Sequence, residues 1–235
     1  PDISPGLEAI RRQLLQTLER LRATRGTATR SRDGVLYELP WCLLLGPPGS
    51  GKTTLLQHSR LRFPYVSGDT DPREVARKGL GGTRNVDWFV ADQAVLVDTA
   101  GRYLEEREAE EWLGFLGLLR RHRRRDRPIN GLLVTVPTPD LLVPSIEAVE
   151  ALAESIRIRI DQMVDTLGIA PPVYLVLTKC DRLAGFLEYF GDWSAPQLAG
   201  VWGATIPSDR AAGTPARALV EAEAEAMHGA LLRGQ

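Results

Sequence analysis

The stretch LLLGPPGSGKTTLL, Leu43 to Leu56, decides the fold of this chain. It contains the pattern G-x-x-x-x-G-K-[ST] from Gly46 to Thr53, directly after the apolar run Trp41–Leu45. A short continuous apolar run is typical of a strand that is buried on both faces of a parallel sheet. The segment that follows, Thr53–Arg60, is compatible with a helix. A strand, a glycine-rich loop and a helix, in this order, are the context that a phosphate-binding P-loop requires.

The residue types of this loop suit a nucleotide phosphate. Glycines let backbone N–H groups turn toward phosphate oxygens, and a helix N-terminus adds positive partial charge. Lys52 would contact the β- and γ-phosphates, and the Thr53 hydroxyl would bind Mg²⁺. An ordinary glycine turn, the alternative, does not require the complete motif. The predicted nucleotide-binding residues of the loop are Gly46, Pro47, Pro48, Gly49, Ser50, Gly51, Lys52, Thr53 and Thr54.

A second motif, Asp98-Thr99-Ala100-Gly101, follows the apolar segment Ala94–Val97. An acidic residue at the carboxyl end of a strand beside the P-loop strand is where Mg²⁺ is held. Asp98 is therefore a predicted metal-binding residue, and Gly101 is predicted to present its N–H to the γ-phosphate. By itself the pattern D-x-x-G is a weak signal that most often marks a turn.

A third motif, Thr178-Lys179-Cys180-Asp181, follows Val173–Leu177, which we predict to be another buried strand. GTPases keep N/T-K-x-D in this order and setting. The Asp181 carboxylate can accept hydrogen bonds from two N–H groups of guanine, while the Lys179 stem lies along the base plane. Thr178, Lys179 and Asp181 are therefore predicted to bind the base, with GTP favoured and ATP the alternative. Standing alone, the tetrapeptide would be a solvent-exposed turn.

The segment GLGGTRNVDWFV, between the first two motifs, has the composition of a switch. The pair Gly81–Gly82 predicts mobility, and the Thr83 hydroxyl can complete the Mg²⁺ shell when a γ-phosphate is present. Val86–Val90 is predicted to pair antiparallel with Ala94–Val97 across a tight turn. The alternative is a glycine turn before an edge strand.

Composition excludes several other classes. The 235 residues are 43% hydrophobic, the formal net charge is -1 and the pI is near 6.4, so no global basic field favours nucleic acid. Cys42 and Cys180 do not have a metal-ligand or disulfide spacing. No apolar run is long enough to span a bilayer, and we expect a soluble piece of a longer protein. Lys52 and Lys179 are two of only three lysines in the chain, and both lie in motifs that need a lysine.

Strands alternate with helices along most of the chain. The predicted fold class is therefore α/β, a P-loop NTPase of GTPase type with a mostly parallel central sheet, one antiparallel strand and helices on both faces. Residues 1–34 are predicted to form an amphipathic helix and linker, 35–208 the P-loop domain, and 209–235 a C-terminal helical segment. The basic run Arg120–Arg127 is either a solvated helix terminus or a contact for lipid head groups or an acidic partner.

Four blocks together resemble the cytoplasmic domain of the IcmF family, which includes TssM, of type VI secretion systems. They are LYELPWCLLLGPPGSGKTTLL, GGTRNVDWFVADQAVLVDTAGRY, EWLGFLGLLRRHRRRDRPINGLLVTV and PVYLVLTKCDRLAGFLEYF, within roughly Val35–Thr205. The resemblance implies the cytosolic NTPase-like domain of a bacterial inner-membrane protein. It implies the membrane-complex subunits TssL and TssJ, and the baseplate, as partners. Two functions stay open: slow hydrolysis of Mg²⁺-NTP as a switch, or a scaffold without turnover.

Arg102 departs from the usual GTPase pattern, because many signalling GTPases carry a water-orienting glutamine at this position. A guanidinium has no acceptor and stays protonated, so it cannot orient water as glutamine does. Water positioning would fall to Thr83, and hydrolysis would be slow. Arg102 is either an arginine finger in cis or part of a switch surface that a partner contacts; we expect the latter. The predicted catalytic residues are Lys52, Thr83, Gly101 and Arg102, and the predicted metal ligands are Thr53, Thr83 and Asp98.

Overall fold

The computed structural model describes residues 4–25, 34–63, 83–123, 126–142, 145–198, 200, 202–207 and 213–233. The chain divides into two compact units, Pro1–Ala184 and Gly185–Gln235. The predicted domain bounds at residues 34/35 and 208/209 stay predictions. The predicted mobile pair Gly81–Gly82 lies outside the described residues.

All five strands that the structure describes belong to the first unit. They are β1 (Trp41–Leu45), β2 (Val86–Val90), β3 (Val95–Thr99), β4 (Gly131–Pro137) and β5 (Val173–Thr178). The helices that the structure describes in this unit are α1 (Pro5–Arg25), α2 (Lys52–Gln57), α3 (Ala109–His122), α4 (Thr138–Leu141) and α5 (Ile146–Leu167). The second unit contributes α6 (Phe186–Phe190), α7 (Ala195–Leu198) and α8 (Ala216–Arg233).

The strands form one mixed sheet in the order β2-β3-β1-β4-β5. β1 pairs in parallel with β3 and β4, β4 pairs in parallel with β5, and β2 pairs antiparallel with β3. The predicted α/β class, with a mostly parallel sheet and one antiparallel strand, is confirmed. The predicted β2–β3 hairpin is also confirmed, and its second strand extends to Thr99, so that Asp98 lies within it.

The alternation of side chains along β1 assigns the helices to the two faces of the sheet. Leu43 and Leu45 belong to the main core, which also holds buried residues of α1, α3 and α5. Leu44 points to the opposite face, where it clusters with Leu56 of α2 and with Phe89. Because successive side chains of a strand point to opposite faces, helices cover both sides of the sheet.

Helix α1 packs directly into the main core. Its apolar stripe of Ile10, Leu14, Leu18 and Leu21 is almost completely buried. Each such leucine or isoleucine contributes about 1.5–3 kcal/mol of burial free energy relative to the exposed state. Within the part of the chain that the structure describes, no helix is both long and apolar enough to cross a bilayer.

The sequence prediction of a buried strand at residues 173–177 was wrong about burial. Strand β5 lies at the edge of the sheet and pairs with β4, and Val173 and Leu175 are 47% and 65% exposed. An edge strand has a neighbouring strand on one side, so an apolar composition does not ensure that both of its faces are covered.

The basic run Arg120–Arg127 is not simply a solvated helix terminus. Arg123 is only 4% exposed, and its Nη1 donates to the Leu36 carbonyl at 2.7 Å. Its guanidinium lies over the rings of Trp41 and Tyr37, 4.1 and 4.8 Å from their centroids. Arg123 therefore joins the end of α3 to the segment that leads into β1.

The second unit has its own aromatic cluster. The Phe190 ring lies 4.6 Å from Phe186 and 4.8 Å from Trp193, measured between centroids. Tyr189 Oη donates to the Leu231 carbonyl at 2.7 Å, which joins α6 to α8. These contacts form a half-buried aromatic cluster within the unit.

Candidate functional site

The three sequence motifs meet at one edge of the sheet. Strands β1, β3 and β5 run in the same direction in the sheet, and each motif lies at the carboxyl end of its strand. In an open α/β sheet this edge is where ligands bind. The fold therefore gathers segments that are far apart in the sequence.

The loop of residues 46–51, named the P-loop for its sequence pattern alone, surrounds the side chain of Lys52. Gly51 adopts a left-handed conformation with φ 88°, which glycine tolerates without steric cost. Lys52 is 7% exposed, and its Nζ donates to the Gly46 carbonyl at 2.8 Å and to the Pro47 carbonyl at 3.2 Å. Burial lowers the pKa of Lys52, and the charge of Asp98 partly opposes this shift. The loop therefore holds an ammonium group beside the carboxylate of the second motif.

The remaining predicted residues of the loop differ in exposure. Ser50 is buried and its hydroxyl shares a 2.8 Å hydrogen bond with the Thr135 hydroxyl of β4, which fixes the loop to the sheet. The others are Gly46, which is buried, Pro47, which is half-buried, and Pro48, Gly49 and Thr54, which are exposed.

One oxygen of Asp98 accepts hydrogen bonds from the hydroxyls of the other two predicted metal ligands. Thr53 Oγ1 donates to Asp98 Oδ2 at 2.7 Å, and Thr83 Oγ1 donates to the same oxygen at 2.9 Å. Thr53 comes from the P-loop and Thr83 from the segment before β2. The structure therefore brings together the three residues that the sequence proposed as metal ligands.

The other oxygen of Asp98 is a buried acceptor without a partner among the described residues. Asp98 is completely buried, and its Oδ1 accepts no hydrogen bond. Burial raises the pKa of Asp98, while the hydrogen bond from Thr53, the charge of Lys52 and the hydrogen bond from Thr83 lower it. Carboxylate and hydroxyl oxygens are hard ligands of the kind that Mg²⁺ prefers. The donor set and the orphaned oxygen therefore fit a magnesium ion.

This arrangement differs from a metal centre built on side-chain clusters. Among the described residues there is no group of three or more His, Cys, Asp or Glu side chains that could hold a metal ion. A magnesium ion here would rest on few protein ligands and on phosphate oxygens, as is usual in NTPase sites.

The glycine of the second motif packs directly against the P-loop. A Cβ atom built on Gly101 would lie 2.4 Å from the backbone N of Pro48 and 2.5 Å from its Cα. No side chain fits in this space, so glycine is required by the close approach of two backbones. The second motif and the P-loop are therefore in direct backbone contact at this point.

The third motif is tied to the P-loop through its threonine. Thr178 Oγ1 donates to the Ser50 carbonyl at 2.6 Å, and the Thr178 carbonyl accepts a 2.9 Å hydrogen bond from Thr138. Lys179 follows in a left-handed conformation with φ 57°, and Asp181 is exposed. The motif therefore carries an exposed carboxylate on a segment anchored to the phosphate loop.

The Arg102 side chain is bound by the start of α3. Its guanidinium forms ion pairs with Glu108 and Glu111, and it donates to Asn85 Oδ1 at 2.8 Å. Its Nε also donates to the Arg84 carbonyl at 3.0 Å. The residue after the D-x-x-G motif therefore connects the segment around Thr83 to helix α3.

Asp87 is a candidate that the sequence analysis missed. It lies directly opposite Asp98 in the β2–β3 ladder. Burial raises the pKa of Asp87 to about 6, the Asp98 charge adds to this shift, and a side-chain hydrogen bond with Thr83 opposes it. The tight turn between the two strands sets this register, so counting back from the turn could have identified the pair.

Comparison with known proteins places the chain in a family. The IcmF-related N-terminal domain family matches residues 105–234, which is more than half of the chain. A type VI secretion system component of Pseudomonas aeruginosa, TssM1, is 45% identical over 179 residues. That alignment covers 74% of this chain and 16% of the relative, so the chain corresponds to a small part of the longer protein. The chain therefore belongs to the IcmF-related family of type VI secretion components.

Proposed function

We propose that the first unit is a nucleotide-binding domain of GTPase type, which binds Mg²⁺-NTP at the carboxyl edge of its sheet. The observation that carries the proposal is the shared acceptor: Thr53 and Thr83, from two separate segments, both donate to Asp98 Oδ2. A hydroxyl from the P-loop, a hydroxyl from a switch and an acidic strand residue are the parts that such a site needs around its cation.

Different residues of the chain would bind the phosphates and the Mg²⁺ ion of the nucleotide. Backbone N–H groups of residues 46–51 would contact the phosphates, and Lys52 would exchange its carbonyl partners for phosphate oxygens. Thr53, Thr83 and Asp98 would hold Mg²⁺, which supplies neutralisation of the phosphate charge. Gly101, which contacts the P-loop backbone, would donate its N–H to the γ-phosphate.

The third motif would bind the base of the nucleotide. The Asp181 carboxylate would accept from guanine, and the Thr178 bond to the Ser50 carbonyl would keep base and phosphate sites at a constant separation. We therefore favour GTP, with ATP as the alternative ligand.

Hydrolysis by this domain is proposed to be slow. Arg102 is bound to Glu108 and Glu111, two carboxylates that neutralise its charge, which argues against an arginine finger in cis. Without a water-orienting glutamine we expect rates on the order of 10⁻⁴ to 10⁻² s⁻¹. Single-turnover kinetics test this, and turnover above about 1 s⁻¹ by the isolated chain would contradict it.

Family membership supports a role in a type VI secretion membrane complex. We propose that the chain is a cytoplasmic domain of an inner-membrane protein. We also propose that its binding to TssL, TssJ or baseplate components depends on its nucleotide state. The second candidate is a scaffold that docks these partners without turnover.

Competition binding tests the proposal. In the assay, a fluorescent guanine nucleotide is bound to the wild-type chain in Mg²⁺, and unlabelled GTP or ATP is added as a competitor. GTP should compete at least about tenfold better than ATP, because a bidentate contact to the base provides a preference of this size. Asp181→Asn should erode this preference, whereas Asp192→Asn, an exposed aspartate in the second unit, should not. Equal or tighter ATP binding refutes the guanine assignment, and no binding of either nucleotide leaves the scaffold function.

A further inference from the structure

The β2–β3 hairpin places a second carboxylate, which no motif supplies, beside Asp98. Asp87 and Asp98 are directly paired across the antiparallel β2–β3 ladder. Side chains of directly opposed residues lie on the same face of a sheet, with Cβ atoms about 4.5–5.5 Å apart. Both aspartates therefore point to the face on which α2 lies, as does Phe89, two residues after Asp87.

Like charges in this position repel one another. Opposed residues of equal charge destabilise a sheet, and burial increases the cost because the medium screens less. The chain offers limited compensation: Thr53 and Thr83 both donate to Oδ2 of Asp98, and the Lys52 charge acts on the same group.

An independent observation at Asp98 points to a positively charged ligand. Asp98 is completely buried, yet its Oδ1 has no hydrogen-bond partner among the described residues. An unsatisfied buried carboxylate oxygen is costly, and buried charges in proteins are usually paired or bound to a metal. Thr83, which donates to Asp98, also interacts with Asp87, so the three groups lie together.

We propose that Asp87 is a second carboxylate of the cation site, and that Asp87 and Asp98 together bind a divalent cation before any nucleotide is present. The inference rests on the cation site of the proposed function and extends it. A divalent ion between the two carboxylates satisfies the orphaned oxygen, and its attraction to each carboxylate offsets their mutual repulsion. The site is then assembled in the nucleotide-free protein.

Metal binding without nucleotide tests this directly. The wild-type chain, freed of metal and nucleotide, is titrated with Mn²⁺ and followed by the electron paramagnetic resonance signal of free Mn²⁺. Thermal unfolding is followed in parallel with Mg²⁺. Asp87→Asn should weaken Mn²⁺ binding by at least about tenfold, because one of two negative charges is removed at short range. Asp165→Asn, which removes an exposed carboxylate from α5, should bind as the wild type does.

The outcomes separate this inference from the proposed function. If Asp87→Asn binds Mn²⁺ as tightly as the wild type, or if the wild type binds no metal without nucleotide, the inference is overturned. Nucleotide titration of the wild type and of Asp87→Asn tests the P-loop assignment separately. Asp87→Asn should also melt at a higher temperature than the wild type in the absence of metal, which shows that the variant is folded.

Discussion

At the scale of single residues, close contacts with the P-loop backbone explain why the motifs need their particular residues. Gly101 has no room for a side chain because it lies against Pro48, and Thr178 reaches the Ser50 carbonyl with its hydroxyl. These contacts join the three motifs without any bound ligand. They also make single substitutions informative.

Gly101→Ala should damage the phosphate loop. The added Cβ would lie 2.4 Å from Pro48 N, so one backbone segment must move. We expect a loss of stability of about 1–3 kcal/mol, as for overpacking elsewhere, together with weaker nucleotide binding. Gly117→Ala is the matched control, because a Cβ there meets nothing within 4 Å and a helical Gly-to-Ala change stabilises by about 0.5–1 kcal/mol. Chemical denaturation measures both, and equal stability of the two variants would contradict the contact.

Asp87 should make stability depend on pH. Its pKa of about 6 in the folded chain exceeds the unfolded value of about 3.9. Between these values the folded state retains a proton that the unfolded chain has lost, so the free energy of unfolding decreases as pH rises from about 4 to about 6. Asp87→Asn should recover about 1–3 kcal/mol near pH 7 in metal-free buffer and change little near pH 4. Urea denaturation at both pH values checks this, and an equal effect of the substitution at the two would refute it.

At the scale of secondary-structure elements, α3 organises the first unit on one side of the sheet. Its start holds Arg102 through Glu108 and Glu111, and Arg123, just after its end, lies over Trp41. Tyr103 Oη also donates to Glu111 at 2.7 Å. The helix therefore connects the segment after the D-x-x-G motif with the entry to the P-loop strand.

Replacing Arg123 should destabilise the first unit. Arg123→Met retains much of the apolar stem but removes the bond to the Leu36 carbonyl and the stacking on Trp41. We expect a loss of about 2–4 kcal/mol, from a charge-assisted hydrogen bond and a desolvated cation–π contact. Arg121→Ala, an exposed neighbour on α3, should change stability by less than about 0.5 kcal/mol. If the two substitutions lower the free energy of unfolding in urea by the same amount, the contacts of Arg123 do not stabilise the first unit.

At the scale of the whole molecule, local patterns predicted the sheet well. β1 and β2 have the bounds that were predicted from the sequence, because each segment is flanked by loop residues. The exposure of β5 was not predictable from its composition, because strand order depends on long-range pairing. The burial of Arg123 was also missed, because a basic run has the same sequence pattern whether or not one of its arginines stacks on an aromatic ring.

The grouping of the candidate site was predicted in part. The motifs pointed to Thr53, Thr83 and Asp98, because each lies in a sequence context with a known chemical requirement, and the structure joins the three by hydrogen bonds. Their role as metal ligands stays a prediction. Asp87 carries no motif, and its proximity to Asp98 follows only from the hairpin register. Arg102 was expected on a partner-facing surface, and its bonds to α3 come from elements that the motif does not contain.

The central claim is that Lys52 and its loop form a nucleotide site, and one titration tests it most directly. A fluorescent guanine nucleotide is titrated into the wild-type chain and into Lys52→Ala in Mg²⁺, with the unfolding curve of each protein recorded. We predict saturable binding by the wild type, a loss of at least about 100-fold in Lys52→Ala, and a cooperative unfolding curve for both proteins, since the removed ammonium faces phosphate charge at short range. Unchanged affinity of a folded Lys52→Ala, or no binding by the wild type, would contradict the claim.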